Sequence, residues 1–140
     1  MINDYIKRGA IVPNEVTCGL LLAAMQGPRN LFLIDGYPRN DDNRIGWEKM
    51  AGDTVDVKLV LFFDAPEEVL VSRCLERGKT SGRTDDNIES LRMRIQTYNK
   101  STTPVIEYFE QQGIVSRIDA DQSIEVCSKA VDAAIAPIMK

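Results

Sequence analysis

Two short stretches hold the side chains best suited to chemistry. In the first, Phe32-Leu33-Ile34-Asp35-Gly36-Tyr37-Pro38-Arg39, an apolar run delivers an acid, a glycine, a proline and an arginine into a tight turn. Glycine lets a ligand approach the backbone closely, and proline stiffens the turn. Arginine offers a planar, permanently charged fork that matches a phosphate. An Asp-Gly pair after a strand is also an ordinary turn signal, so the segment by itself suits either role. The second stretch is basic and punctuated by glycine: Arg73, Arg77, Gly78, Lys79, Thr80, Ser81, Gly82, Arg83, Thr84, Asp85 and Asp86, with Arg92 and Arg94 following. It reads as a mobile loop between two helices. Arg77, Arg83 and Arg94 are candidates to gather on one anionic group, although a solvated loop with surface ion pairs explains the same residues. The chain has no histidine. That removes His-based triads, His metal sites and the commonest general base. Phosphoryl transfer needs what remains, charge stabilisation and positioning with little proton chemistry.

Hydropathy patterning supplies the elements that must position these groups. Residues 14–26 are apolar at helical spacing after Pro13. Residues 31–34 and 57–63 are short apolar runs that read as strands buried on both faces, and 114–118 as a third strand. Helices are predicted over 40–51, over 67–77 with Pro66 to open it and Gly78 to close it, and over 123–135 with Ser123 as cap. A long helical region over 85–112 should be kinked or split by Pro104. Strands alternating with helices predict an α/β fold with a parallel sheet flanked by helices. Ligands then belong at the carboxyl ends of the strands, in the loops 35–39, 64–66 and 119–122.

Composition narrows the classes. The chain has 140 residues, 17 Lys and Arg against 21 Asp and Glu, and a net charge of -4. It is expected to form a single domain with a real core. Mild acidity argues against nucleic-acid binding by bulk phosphate attraction. No apolar run reaches the roughly 18 residues of a membrane span, and the first residues carry no apolar signal core. Cys18, Cys74 and Cys127 form neither a disulfide framework nor a metal pair and read as small buried hydrophobes in a reducing compartment.

The ordered set of Gly9-Ala10-Ile11-Val12-Pro13, FLIDGYPRN, Asn43 and Trp47, LVLFFDAPEE, RCLERGKTSGRTDDN and RIQTY resembles nucleoside monophosphate kinases, and within them the UMP-CMP kinases. The resemblance implies transfer of the γ-phosphoryl of ATP, with Mg²⁺, to CMP or UMP, and also dCMP, by enzymes that are usually monomeric and belong to pyrimidine nucleotide metabolism. It implies a cytoplasmic location, with the nucleus as a second compartment. Residue by residue, Ala10, Ile11 and Val12 match the stretch that meets the acceptor ribose and base. Gly36, Tyr37, Pro38 and Arg39 match the acceptor turn, with Arg39 on the α-phosphate. Asn43 matches the reader of the pyrimidine edge. Residues 76–86 match a short lid. Arg77 resembles the lid arginine that meets ATP, and Arg83 and Arg94 resemble the arginines around the acceptor and the transferring phosphoryl. Gln122 falls where relatives contact adenine through the backbone. Asp35 resembles the acid that holds the metal through water, or else it caps the turn.

No G-x-x-x-x-G-K-[ST] occurs in the 140 residues. Gly78-Lys79-Thr80 mimics only its end and lies after a helix, where a P-loop needs a strand before it. Against a typical family member, Met1 is expected to fall inside the acceptor-binding helices, leaving residues 1–26 as a remnant of that region. The P-loop, an early arginine and the central first strand are then expected to be missing. Two expectations follow. The strands at 31–34 and 57–63 either pair directly or keep unpaired edges, and the chain alone shows negligible kinase turnover and poor solubility. The alternative to an enzyme is a truncated, non-catalytic module that binds nucleotide weakly or acts only through protein partners.

Overall fold

A computed structural model describes residues 2–139, which fall into two compact units. Among the described residues the first comprises 2–56 and 92–105, the second 57–91 and 106–139. The elements are α1 (Ile2–Lys7), α2 (Asn14–Ala24), α3 (Asp41–Ala51), β1 (Val60–Asp64), α4 (Glu67–Ser81), α5 (Ile88–Thr97), a π-helical turn (Tyr98–Thr102), α6 (Thr103–Gln111), β2 (Val115–Asp119) and α7 (Ile124–Ile135).

In the first unit α2 packs on α3, and Cys18, Trp47 and Ala51 form the buried centre. Leu21, Leu22, Met25, Ile34, Tyr37 and Val55 close around it. α3 starts where the sequence requires: the Asn40 side chain accepts a hydrogen bond from the Asn43 N–H at 2.8 Å, which satisfies one of the orphan donors of a helix N-terminus. Residues 31–34 depart from the sequence expectation. They are extended but carry no ladder among the described residues, and they are not buried on both faces. Leu31 and Leu33 are exposed, while Phe32 and Ile34 are half-buried. An apolar run becomes a strand only when a neighbour takes up its amides and carbonyls, and here the alternation lets Ile34 alone reach the α2–α3 core.

The second unit is α/β. β1 and β2 pair in parallel, Val60 opposite Val115 through Asp64 opposite Asp119, with α7 packed on β2. The Ser123 hydroxyl caps α7 by accepting from the Val126 N–H at 3.3 Å. α4 opens after Pro66 as expected but runs past Gly78 to Ser81 and ends on Gly82, whose φ of 65° is left-handed. Gly78 therefore does not close the helix. The predicted 85–112 helix is split, and the break is the π-helical turn just ahead of Pro104. Proline has no N–H, and its ring crowds the carbonyl four residues back; the turn widens to relieve both. Of the cysteines only Cys18 is buried; Cys74 and Cys127 are half-buried and all three are free. No described helix is long and apolar enough to cross a membrane.

Candidate functional site

The turn at residues 36–39 belongs to the first unit. Gly36 sits at φ 69°, a left-handed conformation suited to glycine, and the Tyr37–Pro38 peptide is cis. Arg39 folds back over the turn, its Nε donating to the Gly36 carbonyl at 2.6 Å. Two contacts hold its backbone. Its N–H donates to Asn43 Oδ1 at 3.1 Å, and its carbonyl accepts from the Thr102 hydroxyl at 2.7 Å. The Thr102 contact comes from the π-helical turn, so the Pro104 irregularity helps to set the arginine. Among the described residues no carboxylate pairs with Arg39, leaving its outer N–H groups for a ligand.

Asn43 is 2% exposed, and its Nδ2 has no hydrogen-bond partner among the described residues. A buried, unsatisfied amide is costly. Tyr37 lies over Trp47, edge to face, with ring centroids 5.7 Å apart. Its hydroxyl donates in a shared bond to Asn14 Oδ1 at 2.7 Å and the Asn43 carbonyl at 2.9 Å. Burial, with Cys18 beside it, pushes that hydroxyl well above the ordinary phenol value. Ala10 is exposed, while Ile11 and Val12 are half-buried ahead of α2. Arg94 packs on Gly9 in this same unit: a Cβ on Gly9 would lie 3.2 Å from the Arg94 side chain. Thr97 adds a hydroxyl bond to the Gly9 carbonyl at 3.2 Å. Asp35 is exposed at the entrance to the turn.

The segment 76–86 belongs to the second unit, where two arginines rest on two adjacent carboxylates. Arg77 reaches Asp86 through Nε at 2.8 Å and Nη2 at 2.6 Å. Arg83 reaches Asp85 through Nε and Nη2, both at 3.0 Å. The Ser81 hydroxyl also donates to Asp86, at 3.1 Å. The Asp86 side chain is fully buried while those of Arg77 and Arg83 remain about half exposed. Each guanidinium thus spends its Nε and Nη2 edge on a carboxylate. The Arg77 hydrogen bonds pull the Asp86 carboxyl down to about 2, and in return Asp86 and Asp85 hold their arginines more firmly protonated. Beyond β2, Gln122 Nε2 donates to Asp119 at 2.9 Å. Arg73 Nη1 donates to the Ala120 carbonyl at 2.7 Å. Arg73 and Gln122 border an open hollow of about 590 Å³ with Phe63, Ile124 and Cys127.

A family model described as "Adenylate kinase" matches residues 1–114. The UMP-CMP kinase of Danio rerio is 54% identical over 131 residues, 89% of this chain and 67% of the relative. That of Gallus gallus is 51% identical over 138 residues, 94% and 70%, and that of Homo sapiens 51% over 131, 89% and 67%. The chain belongs to the adenylate kinase family, in its UMP-CMP kinase branch. It spans about two thirds of the length of these relatives.

As a member of this family of phosphotransferases, the chain is of the nucleoside monophosphate kinase type, which takes ATP and a nucleoside monophosphate. The geometry brings Gly36, Tyr37, Pro38, Arg39 and Asn43 into one turn, and Arg77 and Arg83 onto one acidic pair. Sequence reasoning passed over Asn14 and Thr102. Neither carries a motif signal: Asn14 reads as a helix start and Thr102 as a polar residue before a proline. It also treated Asp85 and Asp86 as loop charge, whereas they are buried and set the arginines.

Gly78 has a job at this lid. A Cβ there would come within 2.6 Å of the Asp86 carbonyl. Gly78→Ala gains about 1 kcal/mol of helix propensity, but the clash is with backbone and costs about 1–3 kcal/mol. The expected net outcome is a lower urea midpoint; a raised midpoint would show that the lid yields freely at this point.

Proposed function

We propose that this chain supplies the acceptor-binding and lid machinery of a kinase that moves the γ-phosphoryl of ATP to CMP or UMP. The observation that carries the reading is the buried Asn43 carboxamide, set four residues after Arg39 and bonded to its backbone. A phosphate-binding guanidinium and an amide with a spare donor in one turn suit a nucleotide whose base offers a small polar edge. The UMP-CMP kinase names of its relatives support the pyrimidine choice.

In this reading Arg39 takes the acceptor α-phosphate, and Ala10, Ile11 and Val12 border the nucleoside. Arg83, in the second unit, and Arg94, in the first, are each permanently charged groups of the type that neutralises phosphoryl charge. Arg77 and Gln122 serve ATP. The exposed Asp35 carboxylate would hold Mg²⁺ through its water shell, and the metal would supply neutralisation of charge on the ATP phosphates. Fixed guanidinium groups do most of the work, since phosphoryl transfer depends chiefly on positioning and charge.

Titrating the full chain with CMP, UMP and AMP by calorimetry tests this. CMP and UMP are expected to bind about tenfold or more tighter than AMP, the size of discrimination a paired amide gives. Tighter binding of AMP than of either pyrimidine would overturn the assignment.

A further inference from the structure

Resting on the acceptor-site reading above, we propose that Tyr37 is a positioning residue for the base-facing amide, and that it locks Asn43 to present a hydrogen-bond donor alone. The orientation of the Asn43 carboxamide follows from its partner. The Arg39 backbone N–H can only donate, so the group 3.1 Å from it must be the amide oxygen. Turning the amide over would set two donors against each other. The Nδ2 hydrogens therefore remain for the ligand, and that nitrogen is buried without a partner among the described residues.

Tyr37 holds this arrangement from the other side. Its hydroxyl grips the Asn43 carbonyl, in the first turn of α3, and Asn14 Oδ1, at the start of α2. Trp47 fixes the ring. Gly46 gives Asn14 its room, because a Cβ at that position would overlap the Asn14 amide. α2 and α3 are thus tied together at the residue that carries the donor. A donor-only site favours an acceptor on the base edge it meets. Cytosine and uracil share such an acceptor in their 2-carbonyl, so one fixed amide serves both.

The test has a ligand-free arm and a nucleotide arm, both on the full chain. In Tyr37→Phe, which keeps the ring on Trp47, hydrogen exchange of the Arg39 amide is expected to quicken about fivefold, the loss of one net hydrogen bond. CMP affinity is expected to fall by a similar factor, with ATP affinity unchanged. Asn14→Leu should reproduce both effects and Asn14→Asp, which retains the accepting oxygen, should restore them. This pair also decides the matter if the phenylalanine variant does not fold. Asn43→Asp keeps the bond to Arg39 but replaces the donor with an acceptor, and should lose CMP binding with Arg39 exchange still slow. Unchanged Arg39 exchange in both Tyr37→Phe and Asn14→Leu would overturn the positioning role, and undiminished CMP binding in Asn43→Asp would overturn the donor assignment. Failure of the unaltered chain to bind CMP would instead overturn the acceptor-site reading, while the exchange arm still decides the role of Tyr37.

Discussion

Arg39→Ala is expected to weaken CMP binding roughly 30- to 150-fold, the equivalent of about 2–3 kcal/mol for a charge-assisted bidentate contact. The turn already spends the Arg39 Nε on the Gly36 carbonyl and its backbone on Asn43 and Thr102. What remains is an oriented guanidinium end with no carboxylate on it among the described residues. Alanine removes that end while both backbone bonds survive, so the turn itself should persist. Cytidine, which lacks the phosphate, gives the control: its weaker binding should be indifferent to the substitution. Calorimetry with both ligands separates the two contributions. Equal CMP affinity in the two proteins would mean that this arginine does not meet the phosphate.

The largest expected effect on stability lies at Asp86. Asp86→Ala strips Arg77 of both its bonds and Ser81 of its acceptor. Breaking a pair with a buried partner costs several kcal/mol, but the Arg77 side chain is 44% exposed and water can re-solvate it. About 2–3 kcal/mol is expected, or roughly 5–10 °C in Tm for a chain of this size. The pH dependence has a definite sign. Asp86 is held at about 2, below its ordinary 3.8, so its contribution is fully present above that ordinary value and fades as pH falls through about 2. The gap between wild type and Asp86→Ala in urea unfolding should therefore be constant near neutrality and shrink between about pH 4 and 2. A gap independent of pH across that range would show that the carboxylate charge is not what holds Arg77.

Much of this architecture was legible because it is decided within a few residues. Ser123 announces its helix since a side-chain oxygen two or three residues before a free N–H can cap it in almost any context. Pro66 opens α4 for an equally local reason, and Pro104 disturbs the helix it enters. The turn 36–39, the asparagine four residues on and the lid arginines stood out by type and spacing, and the resemblance to nucleoside monophosphate kinases rested on those same residues.

What the sequence left undecided depends on partners distant along the chain. An apolar run such as 31–34 has the composition of a strand, yet a ladder needs a second backbone beside it, and nothing within the run specifies one. Gly78 looks like a helix terminator until the Asp86 carbonyl is found lying where its Cβ would be; the helix then continues because glycine alone fits. Asp85 and Asp86 read as solvated loop charge, and only folding turns them inward beneath Arg83 and Arg77. The direction of the Asn43 amide is the clearest case. Its identity is written in the chain, but which of its two polar atoms is bonded and which stays unpartnered is settled by the Arg39 N–H, since a donor accepts no other donor.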